Sequence, residues 1–138
     1  MTVQQPREVI ERLQQAINQH DLESMVACFE EGYRSEFPAH PERAFRGNGQ
    51  VRRNWAQIFA TVPDLRAELL GCTADGPRVW AEWEWTGHRA DGSPYLVRGV
   101  TVQGVQDGRI AWGRLYMELV QPSAAPPGVS SDSGEERP

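Results

Sequence analysis

Three Asp-Gly pairs, Asp75-Gly76, Asp91-Gly92 and Asp107-Gly108, punctuate the second half of the chain at intervals of sixteen residues. The runs they separate, 65–72, 78–88, 95–105 and 109–120, are rich in Val, Trp, Thr and Tyr. Asp-Gly between such runs is a strong short-range hairpin signal, because glycine accepts the positive φ that tight turns demand. Three such signals in even succession predict four antiparallel strands in a meander.

The first part of the chain has a different period. Pro6 suits a first helical turn, and Val9, Ile10, Leu13, Ala16 and Ile17 then recur at helical spacing. His20-Asp21 interrupts that helix, and Asp21 reads as the N-cap of a second one. The second helix would bury Leu22, Met25, Val26 and Phe29 and stop at Gly32. Residues 33–37 read as a short strand, followed by a loop rich in proline and glycine. A third helix carries Val51, Trp55, Ile58, Phe59 and Val62 on one side and ends at Pro63. Helices first and a long-stranded antiparallel sheet afterwards is an α+β fold.

A chain of 138 residues suffices for one core and is too short for two. The expected division is a single domain over 1–120 and a disordered tail over 121–138, where four prolines accompany almost no apolar bulk. The net charge of −5 argues against a nucleic-acid partner. All 14 basic residues are Arg, so Schiff-base, pyridoxal-phosphate and P-loop lysine chemistry is excluded. Apolar runs are too short to span a membrane and the first residues have no signal-peptide centre, so a cytoplasmic protein is expected. Cys28 and Cys72 read as apolar filler, and His20, His40 and His88 lie far apart, so neither a metal site nor a cofactor is expected. Ser93 sits in a turn signal rather than a nucleophile elbow.

The segment Arg78–His88 carries most of the site information. With a period of two, Trp80, Glu82, Glu84, Thr86 and His88 share one face, and Val79, Ala81, Trp83 and Trp85 the other. In the last strand Trp112, Arg114, Tyr116 and Glu118 likewise alternate with Ala111, Gly113, Leu115 and Met117. The mixed aromatic and charged face could line a small-molecule pocket, or it could face water with Glu82 and Glu84 merely ion-paired to Arg114. Exposing Trp80 and Trp112 is costly, which favours the pocket; the bulky apolar face would then be a dimer interface or a second core. Tyr33, Ser35 and Phe37 alternate on the first strand, and Tyr33 could donate to a substrate oxygen. His40 and Trp55 complete the candidate binding residues, together with Trp80, His88, Trp112 and Glu118.

The stretches AINQHDLESMVACF, FRGNGQVRRNWAQIFATVPDL, VWAEWEWTGHRADGSPY and DGRIAWGRLYMELV resemble the SnoaL-like group of the nuclear-transport-factor-2-like superfold. The resemblance covers residues 6–120 and implies a cone, with three helices packed on a curved sheet around a deep apolar cavity, often in homodimers. Its members include polyketide cyclases, ketosteroid-isomerase-like enzymes, limonene-epoxide-hydrolase-like enzymes and non-catalytic binding domains. The cyclases usually carry an Asp after the Trp of the last strand, where this chain has none. The epoxide hydrolases hold an Arg between two Asp; the matching places here hold Glu82, Glu84 and Arg114. The resemblance thus implies an acid–base enzyme acting on an apolar oxygenated metabolite without a cofactor. In it Glu82 or Glu84 would take a proton, Arg114 would orient that carboxylate, and Tyr33 or Tyr116 would stabilise charge on oxygen. The alternative is a non-catalytic ligand-binding or dimerisation module of the same fold.

Overall fold

The computed structural model describes residues 5–121; the expected tail beyond Gln121 lies outside them. Helix α1, Pro6–Asn18, begins on its proline and is capped by Gln5, whose N–H donates to Glu8 Oε1 at 3.1 Å. It buries Val9, Ile10, Leu13, Ala16 and Ile17, the five positions its period singles out. Helix α2, Leu22–Val26, is capped as expected: the Ser24 N–H donates to Asp21 Oδ1 at 3.1 Å.

Helix α2 stops well before Gly32. The Ile110 N–H donates to the Cys28 carbonyl at 2.7 Å, drawing the chain into strand β1, Phe29–Glu36, with Gly32 inside it. A long-range backbone bond outbids the local helical signal here. The loop that follows is not wholly irregular: it contains a single 3-10 turn, Pro41–Arg43, and a two-residue strand β2, Phe45–Arg46. Helix α3 runs Asn48–Thr61.

The meander forms as the Asp-Gly pairs require: β3 Arg66–Asp75, β4 Arg78–His88, β5 Pro94–Gln106 and β6 Arg109–Leu119. At the last turn Asp107 and Gly108 both have positive φ, 51° and 76°, the backbone of a type I′ hairpin. The six-stranded sheet has the order β2-β1-β6-β5-β4-β3. Its one parallel pair joins β1 to β6, and no sequence signal announced it. The sheet is open and curved, and the three helices lie against its concave face.

Helix α1 is fastened to the edge strand β3 by side-chain amides. The Asn18 Nδ2 donates to the Ala67 carbonyl at 2.9 Å, and its Oδ1 accepts from the Ala67 N–H at 2.6 Å. Gln14 Oε1 accepts from the Leu69 N–H at 2.7 Å. Backbone groups that an edge strand would leave open are thereby satisfied. Among the described residues no helix is long and apolar enough to cross a membrane.

Candidate functional site

Cross-strand register places the inward side chains in rows. Ser35, Gly113 and Gln103 form one row, Leu115, Thr101 and Ala81 the next, and Leu119, Val97 and Trp85 another. Between these rows and the helices lies a cavity of about 610 Å³. Its walls are apolar: Trp83, Trp85, Val97, Leu115 and Met117 from the sheet, Leu13 and Ile17 from α1, and Trp55 and Ile58 from α3. Trp55 meets Trp85 edge-to-face, with ring centroids 5.1 Å apart.

Four buried polar side chains, Tyr33, Ser35, Thr101 and Gln103, line the cavity at the end away from its mouth. Trp83 Nε1–H donates to Thr101 Oγ1 at 3.0 Å, and the Thr101 hydroxyl donates to Gln103 Oε1 at 3.1 Å. Burial pushes the Tyr33 phenol up to about 12, with the neighbouring Ser35 hydroxyl acting slightly the other way. Trp85 Nε1 is a sealed donor without a partner among the described residues. At the mouth, His40 Nε2 lies 2.7 Å from Glu118 Oε2, and Arg43 also reaches the lining. Glu118 is the one carboxylate of that lining among the described residues. Among those residues no group of three His, Cys, Asp or Glu could hold a metal ion.

The expected site residues divide. Tyr33, Ser35, Phe37, Trp55 and Glu118 do line the cavity, and His40 is tied to it through Glu118. Glu82, Glu84, Arg114, Tyr116, Trp80 and Trp112 lie on the opposite, outer face of the sheet. Trp80 is 45% exposed and Tyr116 44%. Glu84 pairs with Arg98 Nε at 2.8 Å, not with Arg114, whose guanidinium sits 4.8 Å from the Trp112 ring centroid. His88 is bound at the far end of β4, its Nδ1 2.8 Å from Asp64 Oδ2.

The cause of this inversion is the helices. Helix α1 needs an apolar surface to cover, and on β4 only Val79, Ala81, Trp83 and Trp85 offer one. That face is therefore the concave one, and the mixed face turns outward. The cost of turning Trp112 outward is reduced locally, because its ring lies over side-chain-free Gly104 and under Arg114. Sequence reasoning missed Trp83, Trp85, Thr101 and Gln103 as cavity residues. Their signal was the bulk of the apolar face together with the polar Thr101 and Gln103 in register on β5.

The SnoaL-like domain model matches residues 10–112. No curated protein matches the chain. Among solved structures, IdmH from Streptomyces antibioticus, a proposed polyketide cyclase, superposes with a TM-score of 0.73 at 21% identity, covering 83% of this chain and 93% of that one. An epoxide hydrolase of the LEH-like type from M. tuberculosis gives 0.71 at 18% identity, covering 82% of each chain. A protein of ketosteroid-isomerase-like fold from Catenulispora acidiphila, solved with trimethylamine, gives 0.69 at 16% identity over 79% and 84%. These likenesses are of fold, and they agree with the cone of helices and curved sheet seen here. The chain belongs to the SnoaL-like domain family.

Proposed function

We propose that the chain is a small-molecule-binding domain whose ligand, an apolar oxygenated metabolite, occupies the cavity between the concave sheet face and the helices. The observation that carries this reading is the composition of the cavity: aromatic and aliphatic walls with a few neutral polar groups converging at one end. Fold neighbours described as a cyclase and an epoxide hydrolase support an organic ligand. The uncharged dye N-phenyl-1-naphthylamine tests it, read by its fluorescence on the full chain. Saturable binding that is lost in Val97→Phe and kept in Glu82→Gln and Glu84→Gln supports the cavity. Binding that ignores Val97→Phe and falls with Trp80→Ala overturns it in favour of the outer face.

A second reading, an acid–base enzyme, is favoured by one contact. The His40–Glu118 pair at the mouth is a base with an orienting carboxylate, 2.7 Å apart, beside an apolar cavity. In that reading His40 takes over the proton-accepting role expected of Glu82 or Glu84. Exchange of a bound ketone's α-protons in D₂O, followed by proton NMR, distinguishes the two: an enzyme accelerates it and His40→Gln abolishes the acceleration.

The outer face supports a homodimer. Trp80 and Tyr116 are exposed there among Glu82, Arg98 and Arg114, a surface whose charges and apolar groups can meet their own copies about a two-fold axis. Sedimentation equilibrium of the full chain and of Trp80→Glu tests it; a species of about 31 kDa that halves in the variant is the expected result, given the 15.5 kDa chain.

A further inference from the structure

Polar groups at the two ends of the cavity differ in what they still have to give. At the inner end they bond one another: Trp83 Nε1–H donates to Thr101 Oγ1, the Thr101 hydroxyl donates to Gln103 Oε1, and the Tyr33 and Ser35 hydroxyls share a bond. None of Tyr33, Ser35, Thr101 and Gln103 is more than 4% exposed. Asn54, on α3, accepts from the Gln50 amide at 2.8 Å. Among the described residues only Arg43 and Glu118 bring charge to the lining, and both are exposed. Glu118 is already engaged by His40. The Arg43 guanidinium has no hydrogen bond or ion pair among the described residues.

The backbone nevertheless fixes where Arg43 stands. Its N–H closes the 3-10 turn on the His40 carbonyl at 2.9 Å, and the His40 N–H donates to the Phe37 carbonyl at 2.7 Å. The His40–Glu118 contact ties the same turn to β6. Phe37 and Phe45 flank the turn in sequence and line the cavity, their ring centroids 6.5 Å apart. A free guanidinium is thus held at the rim of an apolar chamber whose own carboxylate is occupied.

We propose that Arg43 receives the carboxylate of an amphiphilic organic acid, whose apolar body enters the cavity while its head stays at the mouth. The inference rests on the reading of the cavity as a small-molecule site and narrows its ligand to an acid held head outward. A planar guanidinium matches a carboxylate with two parallel hydrogen bonds. At the mouth the head keeps part of its hydration, so the cost of burying an ionised group among neutral partners is avoided. The apolar body meanwhile leaves water for the Trp83, Val97 and Leu115 walls. The reverse pose would strand the carboxylate against side chains that already bond one another.

The test compares 6-phenylhexanoate with 6-phenylhexanamide, which has the same shape without the charge, by calorimetric titration of the full chain at about pH 7.5, where the acid is ionised. The acid is expected to bind about fivefold tighter, in line with a partly exposed charged pair. In Arg43→Gln that advantage falls to about twofold or less, and in Arg43→Lys part of it returns, while the amide is held within about twofold throughout. Nuclear Overhauser contacts report the direction: phenyl protons are expected near the Thr101 and Leu115 methyls, and the α-methylene near residues 38–44. Equal affinity of acid and amide, an advantage that survives Arg43→Gln, or a phenyl ring at the mouth overturns the acid site and leaves the cavity reading standing. If N-phenyl-1-naphthylamine and both probes fail to bind, the cavity reading falls and the acid site with it; a dye that binds where the acid does not overturns the acid site alone.

Discussion

His40 Nε2 lies 2.7 Å from Glu118 Oε2, so the loop after β1 is held to the end of β6 across the mouth of the cavity. Both side chains are substantially exposed, at 34% and 53%, and such pairs contribute about 0–1 kcal/mol. Glu118→Gln is therefore expected to leave global stability within about 1 kcal/mol of the parent in urea unfolding. Its effect belongs to the loop: amide hydrogen exchange over residues 38–44 should quicken, with the sheet unaffected. A loss of several kcal/mol would mean the contact anchors the fold rather than the mouth.

Gly113→Ala is expected to destabilise by about 1–3 kcal/mol, because the new Cβ meets the Tyr33 hydroxyl at 2.7 Å. Much of that loss should be recovered in the double variant Gly113→Ala/Tyr33→Phe, which removes the clashing oxygen. Thermal unfolding of the four proteins closes the cycle. Strict additivity would place the strain elsewhere.

Thr101→Val orphans two buried groups at once, the Trp83 indole donor and the Gln103 carbonyl. Each unpaired buried group costs about 1–3 kcal/mol, so the variant should lose several kcal/mol although it is nearly isosteric. Denaturant midpoints with unchanged slope would measure this. A change under 0.5 kcal/mol, roughly the scatter of surface substitutions, would mean that the chain is not maintained in solution.

Tyr33 supplies a pH dependence. Its folded value of about 12 stands above the ordinary 10, so between those values the folded state binds the proton that the unfolded state has released. Its contribution, about 2–3 kcal/mol for two pH units, is fully present below pH 10 and is lost as pH rises towards 12. Unfolding free energies measured from pH 9 upwards should fall in the parent and fall less steeply in Tyr33→Phe. Burial raises Tyr95 as well, so phenolate absorbance should show two of the chain's three tyrosines titrating late, and Tyr33→Phe should remove one of them.

The meander was legible because each Asp-Gly turn is a local event, and the α1 stripe because period and burial coincide. The end of α2 and the β1–β6 pairing were not, since both depend on Ile110 reaching back to Cys28 across the whole chain. The site was half legible for the same reason. Alternation divided Trp83 from Glu84 and Leu115 from Arg114 correctly, but only the seating of α1 decides which set is concave. Tyr33 and Ser35 needed no such decision, because the residues that alternate with them on β1, Arg34 and Glu36, are charged.

The parallel pairing of β1 with β6 also fixes when a binding site can exist. Tyr33 and Ser35 leave the ribosome early and Gly113 some eighty residues later, and the pocket between them has no inner wall until they meet. A nascent chain ending before Arg109 would hold helices and hairpins but nothing to enclose a ligand. Contacts of such sequence separation form late and slowly. A molecule held in that cavity would thus be a partner of the finished fold alone, and its presence would favour the last strand's arrival over any intermediate that precedes it.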